Sequence, residues 1–189
     1  MAVKKSKSKS KSKEWFTIIA PKLFEERELG RTMVSDPQHL VNRKISLNLL
    51  ELTNNFNKFY MKFTFRVTKL EGNKAFTEFD SSECMQDYIS RMVLRRVRRI
   101  DTVQDLKTKD GISIRFKGLG IISRRVKSSI QKVIRSRMKD IIKSFVESST
   151  FNELIESILD DGLKNYILKE TRRIYPVRNF EVRKTQVSQ

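Results

Sequence analysis

One cysteine and one histidine are the shortages of this 189-residue chain, and each closes a class of function. Cys84 alone closes no intramolecular disulfide and supplies no cysteine zinc site, which fits a reducing cytosol. With His39 as the sole histidine, His-paired metal centres are excluded. At most one Cys-His pair remains for nucleophilic catalysis, without the local signatures that such sites carry. No catalytic residue, metal or cofactor is expected. Long apolar runs are missing too: no stretch nears the roughly 18 residues of a membrane span. The basic N-terminus is followed only by the short run Trp15 to Ala20 before Lys22 and Glu25 interrupt it. Neither a transmembrane segment nor a secretory signal is expected.

Against 22 Asp and Glu stand 40 Lys and Arg, a formal net charge of +18 and an isoelectric point near 10.2. Positive charge at this density points to a polyanion partner. Residues 4–13 read KKSKSKSKSK: Lys4, Lys5, Lys7, Lys9, Lys11 and Lys13 with no acid and no apolar group. Nothing there offsets the entropy lost on ordering, so residues 1–13 are read as a disordered arm. Forty basic residues less those six leave 34 against 22 acids, so the body must carry a basic face of its own. At 38% hydrophobic residues, that body buries one core, and residues 14–189 are read as a single domain.

The clearest strand signal is Phe59, Met61, Phe63, Phe65 and Val67 alternating with Tyr60, Lys62, Thr64, Arg66 and Thr68. Ile45, Leu47 and Leu49 alternate before it, and Gly72-Asn73 turns into a further strand near Ala75 to Phe79, which together make a meander. A second hairpin joins Arg98 to Lys107 with Ile112 to Phe116 through Lys109-Asp110-Gly111. Between the two units, Asp80 and Glu83 have capping-box spacing, which predicts a helix near 82–96. From Val126 to Phe145 a 3.6-residue apolar stripe predicts a long helix, and Thr150 with Glu153 opens another. Asp160 and Asp161 mark a helix terminus, and Leu163 to Arg173 form one more helix before Pro176. The region 14–125 is thus β-rich and 126–173 mainly helical, while 174–189 is a last strand or an extended tail. The class is α+β, a central antiparallel β-barrel or sheet flanked by helices.

Two arginine-rich stretches stand out as contacts for the phosphates of a nucleic-acid backbone. The first is Arg91, Arg95, Arg96, Arg98 and Arg99, with three acids near in sequence: Glu83, Asp87 and Asp101. Guanidinium forks pair bidentately with phosphate and stay charged at any cellular pH. The second is Arg124, Arg125 and Lys127, continued by Lys132, Arg135, Lys139 and Lys143 on the polar side of the stripe helix, a strip roughly 25–30 Å long. Most of the 12 phenylalanines read as core, whereas Trp15 and Tyr60 are the candidates for stacking on bases. Gly118 and Gly120 lack the third glycine of a dinucleotide loop and read as a strand bulge.

Four segments in order, Lys13-Glu14-Trp15-Phe16-Thr17-Ile18-Ile19-Ala20-Pro21, Leu29-Gly30-Arg31-Thr32 leading to Asp36-Pro37, Arg43 to Leu52, and Lys107-Thr108-Lys109-Asp110-Gly111 with Arg115, carry a resemblance. Together they resemble the small-subunit ribosomal protein family of archaea and eukaryotes called S-three-A-e, or eukaryotic-type S-one, in its shorter archaeal form. The resemblance implies a central β-barrel flanked by helices, seated on the platform of the small subunit. There it would lie near the mRNA exit and the 3′ end of the rRNA, beside the universal S-eleven protein. Arg31, Arg43 and Lys44, within the matching motifs, complete the expected RNA-binding set. The expected role is that of a cytoplasmic, non-enzymatic rRNA-binding constituent of the subunit. Its partners would be rRNA and neighbouring subunit proteins, with mRNA near the exit a further candidate, and no membrane and no small-molecule substrate. The alternative is a free single-stranded RNA-binding regulator using exposed aromatics; an RNA-modifying enzyme would need a cofactor pocket that no motif signals.

Overall fold

The computed structural model describes residues 13–188; the arm expected to be disordered lies outside the described residues but for Lys13. Eight strands form one mixed sheet with order β2-β1-β5-β8-β7-β6, in which β4 pairs with both β3 and β5. They are β1 (Glu14–Ile19), β2 (Glu28–Val34), β3 (Lys44–Asn48), β4 (Met61–Glu71), β5 (Lys74–Cys84), β6 (Arg98–Lys107), β7 (Ser113–Ile122) and β8 (Asn179–Val187). Five helices complete the α+β fold: α1 (Leu49–Thr53), α2 (Gln86–Met92), α3 (Ser128–Ser148), α4 (Phe151–Leu159) and α5 (Gly162–Thr171). The sheet is open, so the closed barrel is not formed. Its pairing is also not wholly antiparallel, because β1 runs parallel to the start of β5, Ile18 opposite Ala75.

Contacts divide the chain into two units, Met1–Ile45 with Phe65–Phe79 and Ser46–Thr64 with Asp80–Gln189. In the first, β1 pairs antiparallel with β2, and Ile18, Val67 and Ala75 pack against Leu29, Ile45 and Leu70. Phe24 and Phe79 both meet Phe65 edge-on, an arrangement the ring quadrupoles favour. The β4–β5 turn places Gly72 at φ 56°.

In the second unit α3 packs on β6 and lays Ile134, Met138, Ile141, Ile142 and Val146 into the core. Val133, expected in that stripe, is 52% exposed. Gly120 lets the helix approach: a Cβ there would stand 2.6 Å from the Met138 methyl. The register of β7 against β8 slips between Lys117 and Gly118, the expected bulge. β6 is an edge strand, and α3 blunts it: Arg135 donates to the Asp101 carbonyl, and the Gln104 amide donates to the Lys139 carbonyl, each at 3.2 Å.

The helix near 82–96 is the main departure from expectation. β5 runs on to Cys84, and the helix is only the seven residues Gln86–Met92. Asp80, Ser81 and Ser82 are buried strand residues, the Ser82 hydroxyl bonded to that of Thr185 on β8 at 2.6 Å. The same spacing at Thr150 and Glu153 does form a capping box, with Glu153 accepting from the Thr150 amide at 2.8 Å. The turn ahead of it supports α4 from outside, since Asp110 accepts from the Phe151 amide at 2.8 Å. The C-terminal segment is a strand, β8, between β5 and β7.

Candidate nucleic-acid interface

β6 and β7 are the two arms of a hairpin, with Arg98 opposite Ile122. The chain entering β6 and the chain leaving β7 therefore emerge at the same end. α2 stops at Met92, a turn closed by the Val97 amide on the Leu94 carbonyl follows, and Arg96 takes a left-handed φ of 70°. Ser123, Arg124 and Arg125 leave β7 opposite. These segments enclose a concavity of about 420 Å³ lined by Arg95, Arg96, Ser123, Arg124 and Arg125. Two clusters some thirty positions apart in sequence thus become one site.

Among the described residues none of these four guanidinium groups meets an acid. Of the acids near in sequence, Glu83 pairs with Lys184 and Asp101 with Arg99. Asp101 holds Arg99 through Nε at 3.0 Å and Nη2 at 2.9 Å, and Asp105 holds Arg115 through a fork of 2.7 and 3.0 Å that keeps the carboxyl below the usual carboxylate range. Four like charges around one concavity repel, and an anion with several acceptor oxygens relieves that repulsion while using their planar forks.

The rest of the predicted set is placed variously. Arg91 ends α2 and lines a neighbouring pocket, and Arg98 is exposed at the start of β6. Lys127 and Lys132 are exposed on the α3 side, but Arg135 is turned to the edge of β6 and Lys143 pairs with Glu147 at 3.9 Å, so the basic strip is interrupted. Lys139 is half-buried. In the first unit Trp15 is 57% exposed beside the exposed Met33 opposite it on β2, and Arg31 follows on the same face, opposite Thr17. Arg43 donates to the Thr32 hydroxyl at 3.0 Å, and Lys13 and Lys44 are exposed.

Tyr60 is not available to a base. It is buried, and its hydroxyl donates to Glu181 at 3.3 Å; burial and then the Glu181 charge push its pKa far up. Strand β4 starts one residue later, so Phe59 rather than Tyr60 is exposed. Glu181 also accepts from Lys164 at 2.6 Å, Asn179 at 3.2 Å and Tyr88 at 3.5 Å. Lys58, buried in the turn that precedes β4, pairs with Asp161 and donates to the Ile158 carbonyl at 3.1 Å. The network is satisfied within the fold. Burial, then the Glu181 and Glu83 charges, push the Cys84 thiol up to about 12, so it is not a nucleophile at neutral pH. Among the described residues no three of His, Cys, Asp and Glu cluster as metal ligands, and no helix is long and apolar enough to cross a membrane.

Arg178 and Leu94 are additions to this surface that sequence reading passed over; Arg178 sits alone in a segment without a basic run.

A family model described as the Ribosomal S3Ae family matches residues 1–189. Proteins named small ribosomal subunit protein eS1 are similar to the chain over nearly their whole length. That of Sulfurisphaera tokodaii is 38% identical over 181 residues, 96% of this chain and 94% of its own. The Methanopyrus kandleri protein is 35% identical over 185 residues, 96% and 88% of the two chains. That of Methanothermobacter thermautotrophicus is 34% identical over 177 residues, 94% and 91%.

Proposed function

The chain belongs to the Ribosomal S3Ae family, and from that premise we propose that it is a structural constituent of the small ribosomal subunit whose arginine concavity holds rRNA phosphates. The observation that carries the contact is the convergence of Arg95, Arg96, Arg124 and Arg125 without a facing acid among the described residues. Rigid elements on both sides, α2 with β6 and β7 with α3, hold the four heads near one another before RNA arrives. Less ordering entropy is then lost on binding. Trp15 and Arg31 on one face of the β1–β2 pair, with Lys13 just ahead of β1, offer a second contact, a ring for stacking beside cations. The lysines of the arm add affinity without sequence selectivity, because ammonium groups on a chain contact phosphates and not base edges.

The motif resemblance supports a place on the platform near the mRNA exit and the 3′ end of the rRNA, beside the universal S-eleven protein, in the cytoplasm. The reading assigns no catalysis. The free-regulator alternative relied on Tyr60 as an exposed stacking residue, and its burial weakens that reading. Sedimentation tests the proposal: the wild-type chain travels with small subunits. The variant R95Q/R96Q/R124Q/R125Q, folded by circular dichroism, shifts toward the free pool. A wild-type chain found mainly free, or a variant that stays fully with the subunit, overturns the assignment of this concavity.

A further inference from the structure

Beside the arginine concavity lies a second hollow of about 170 Å³, built by Tyr88, Leu94, Ile121, Arg178 and Asn179 with Arg91. Ordinary ligand pockets measure ~300–1,000 Å³, so this one takes a single ring system rather than an extended small molecule. Its lining sets the apolar surfaces of Tyr88, Met92 and Leu94 beside the polar Arg91, Arg178 and Asn179. Ile121 is a buried residue near the end of β7, and Tyr60 backs Tyr88 ring to ring. The Asn179 amide is fixed by Glu181, by the Met92 sulfur at 3.2 Å and by the Phe180 amide at 3.0 Å. The Arg178 main-chain N–H donates to the Ile121 carbonyl at 2.8 Å, locking the two sides of the hollow.

Two features of the rim define the occupant. Leu94 is 58% exposed, a large aliphatic side chain that nothing in the fold covers well. Arg91 and Arg178 stand on the same hollow, and neither meets an acid among the described residues. A hollow that places the Tyr88 ring and the exposed Leu94 side chain beside two cations fits a flat, weakly solvated group carrying a nearby negative charge. The residue after Leu94 is Arg95, where the four-arginine concavity begins, so a ligand entering the hollow has further phosphate sites next to it.

We propose that the hollow receives one unpaired nucleobase of the rRNA, held against Tyr88, Leu94 and Ile121, with the adjoining phosphates on Arg91, Arg178 and the arginine concavity. The proposal rests on the reading that this face binds rRNA, and adds that it reads a splayed-out base as well as backbone charge. Single-stranded bases, unstacked and laid on aromatic or guanidinium planes, are the usual targets of RNA recognition. A base already unpaired costs least to extrude.

Methyl and arginine Nε resonances of the full chain, titrated with adenosine 5′-monophosphate, ribose 5-phosphate and N-acetyl-leucine in parallel, test this. The nucleotide should shift the Leu94 and Ile121 methyls and bind at least ~5-fold more tightly than ribose 5-phosphate, as stacking of one base supplies. The exposed-site variant L94Q should narrow that difference. If both phosphates move the arginine signals but the nucleotide adds nothing at Leu94 and Ile121, the base site is wrong and the phosphate concavity stands. If neither phosphate moves the signals of Arg95, Arg96, Arg124 or Arg125, the reading of the whole face fails. If N-acetyl-leucine occupies the hollow in preference to the nucleotide, its occupant is a peptide carboxyl terminus and the proposal is overturned.

Discussion

Tyr60 lies flat on Tyr88, ring centroids 3.8 Å apart and planes 8° apart, and both hydroxyls point to the carboxylate of Glu181. With Lys164 on the same carboxylate, residues from α2, α5, β8 and the turn just before β4 share one buried charge.

Removing one partner of that charge is predicted to cost more than removing both. Lys164→Met leaves Glu181 buried without its cation, a loss of about 3–5 kcal/mol. The double change with Glu181→Gln, which keeps an acceptor for the tyrosines, should recover more than half of it. Urea unfolding of the three proteins measures this, and equal losses in both variants would contradict the account.

Alkali should unfold the protein earlier than its pI suggests. In the unfolded chain the thiol of Cys84 titrates near 9.0 and the tyrosines near 10.0, whereas in the fold burial raises Cys84, Tyr60 and Tyr88. Lys164 is also raised, the Glu181 hydrogen bond and charge outweighing its desolvation. Above pH 9 the folded state therefore binds more protons than the unfolded one, and stability falls as pH rises. The denaturation midpoint should drop between pH 8 and 10.5, and Tyr60→Phe should flatten that drop. At pH 8 the folded protein should resist thiol-modifying reagents until denaturant is added.

The two glycines of β7 are predicted to differ. A Cβ at Gly118 meets the buried Phe180 ring and the Thr102 hydroxyl, both at 2.8 Å, whereas at Gly120 it meets the flexible end of Met138. Gly118→Ala should cost about 1–3 kcal/mol and Gly120→Ala less. Thermal unfolding of both orders them.

For RNA, exchanging Arg95, Arg96, Arg124 and Arg125 for Gln should lower the slope of log affinity against log salt by roughly 3, at ~0.7 per phosphate on single strands. Exchanging them for Lys should keep the slope and weaken binding, since an ammonium cannot fork two oxygens. Arg99→Gln should do little, because Asp101 already occupies that guanidinium. Filter binding at several salt concentrations reads all three.

Much of this fold was legible where periodicity is local. Met61, Phe63, Phe65 and Val67, the α3 stripe, and the Thr150–Glu153 box all act within one element. Asp80 and Glu83 show where such signals fail. They imitate a helix start, but their neighbours are small polar residues inside a sheet, paired with a strand a hundred positions away. The arginine site was half legible. Both clusters are visible, and the hairpin turn at Lys109-Asp110-Gly111 already implies that the flanks of β6 and β7 meet. What composition could not supply is the pairing of acids: Asp101 is held by Arg99, Asp105 by Arg115 farther along the hairpin, and among the described residues no acid lines the concavity.

The place of β8 between β5 and β7 bears on how the protein is made. A chain broken off before Asn179 would leave both of those strands with an open edge and Tyr60 and Lys164 without Glu181. Loop closure over some hundred residues must precede the Ser82–Thr185 contact, so the final pairing comes late in synthesis. Until β8 is in place, the two strand edges stay open to pairing with other chains.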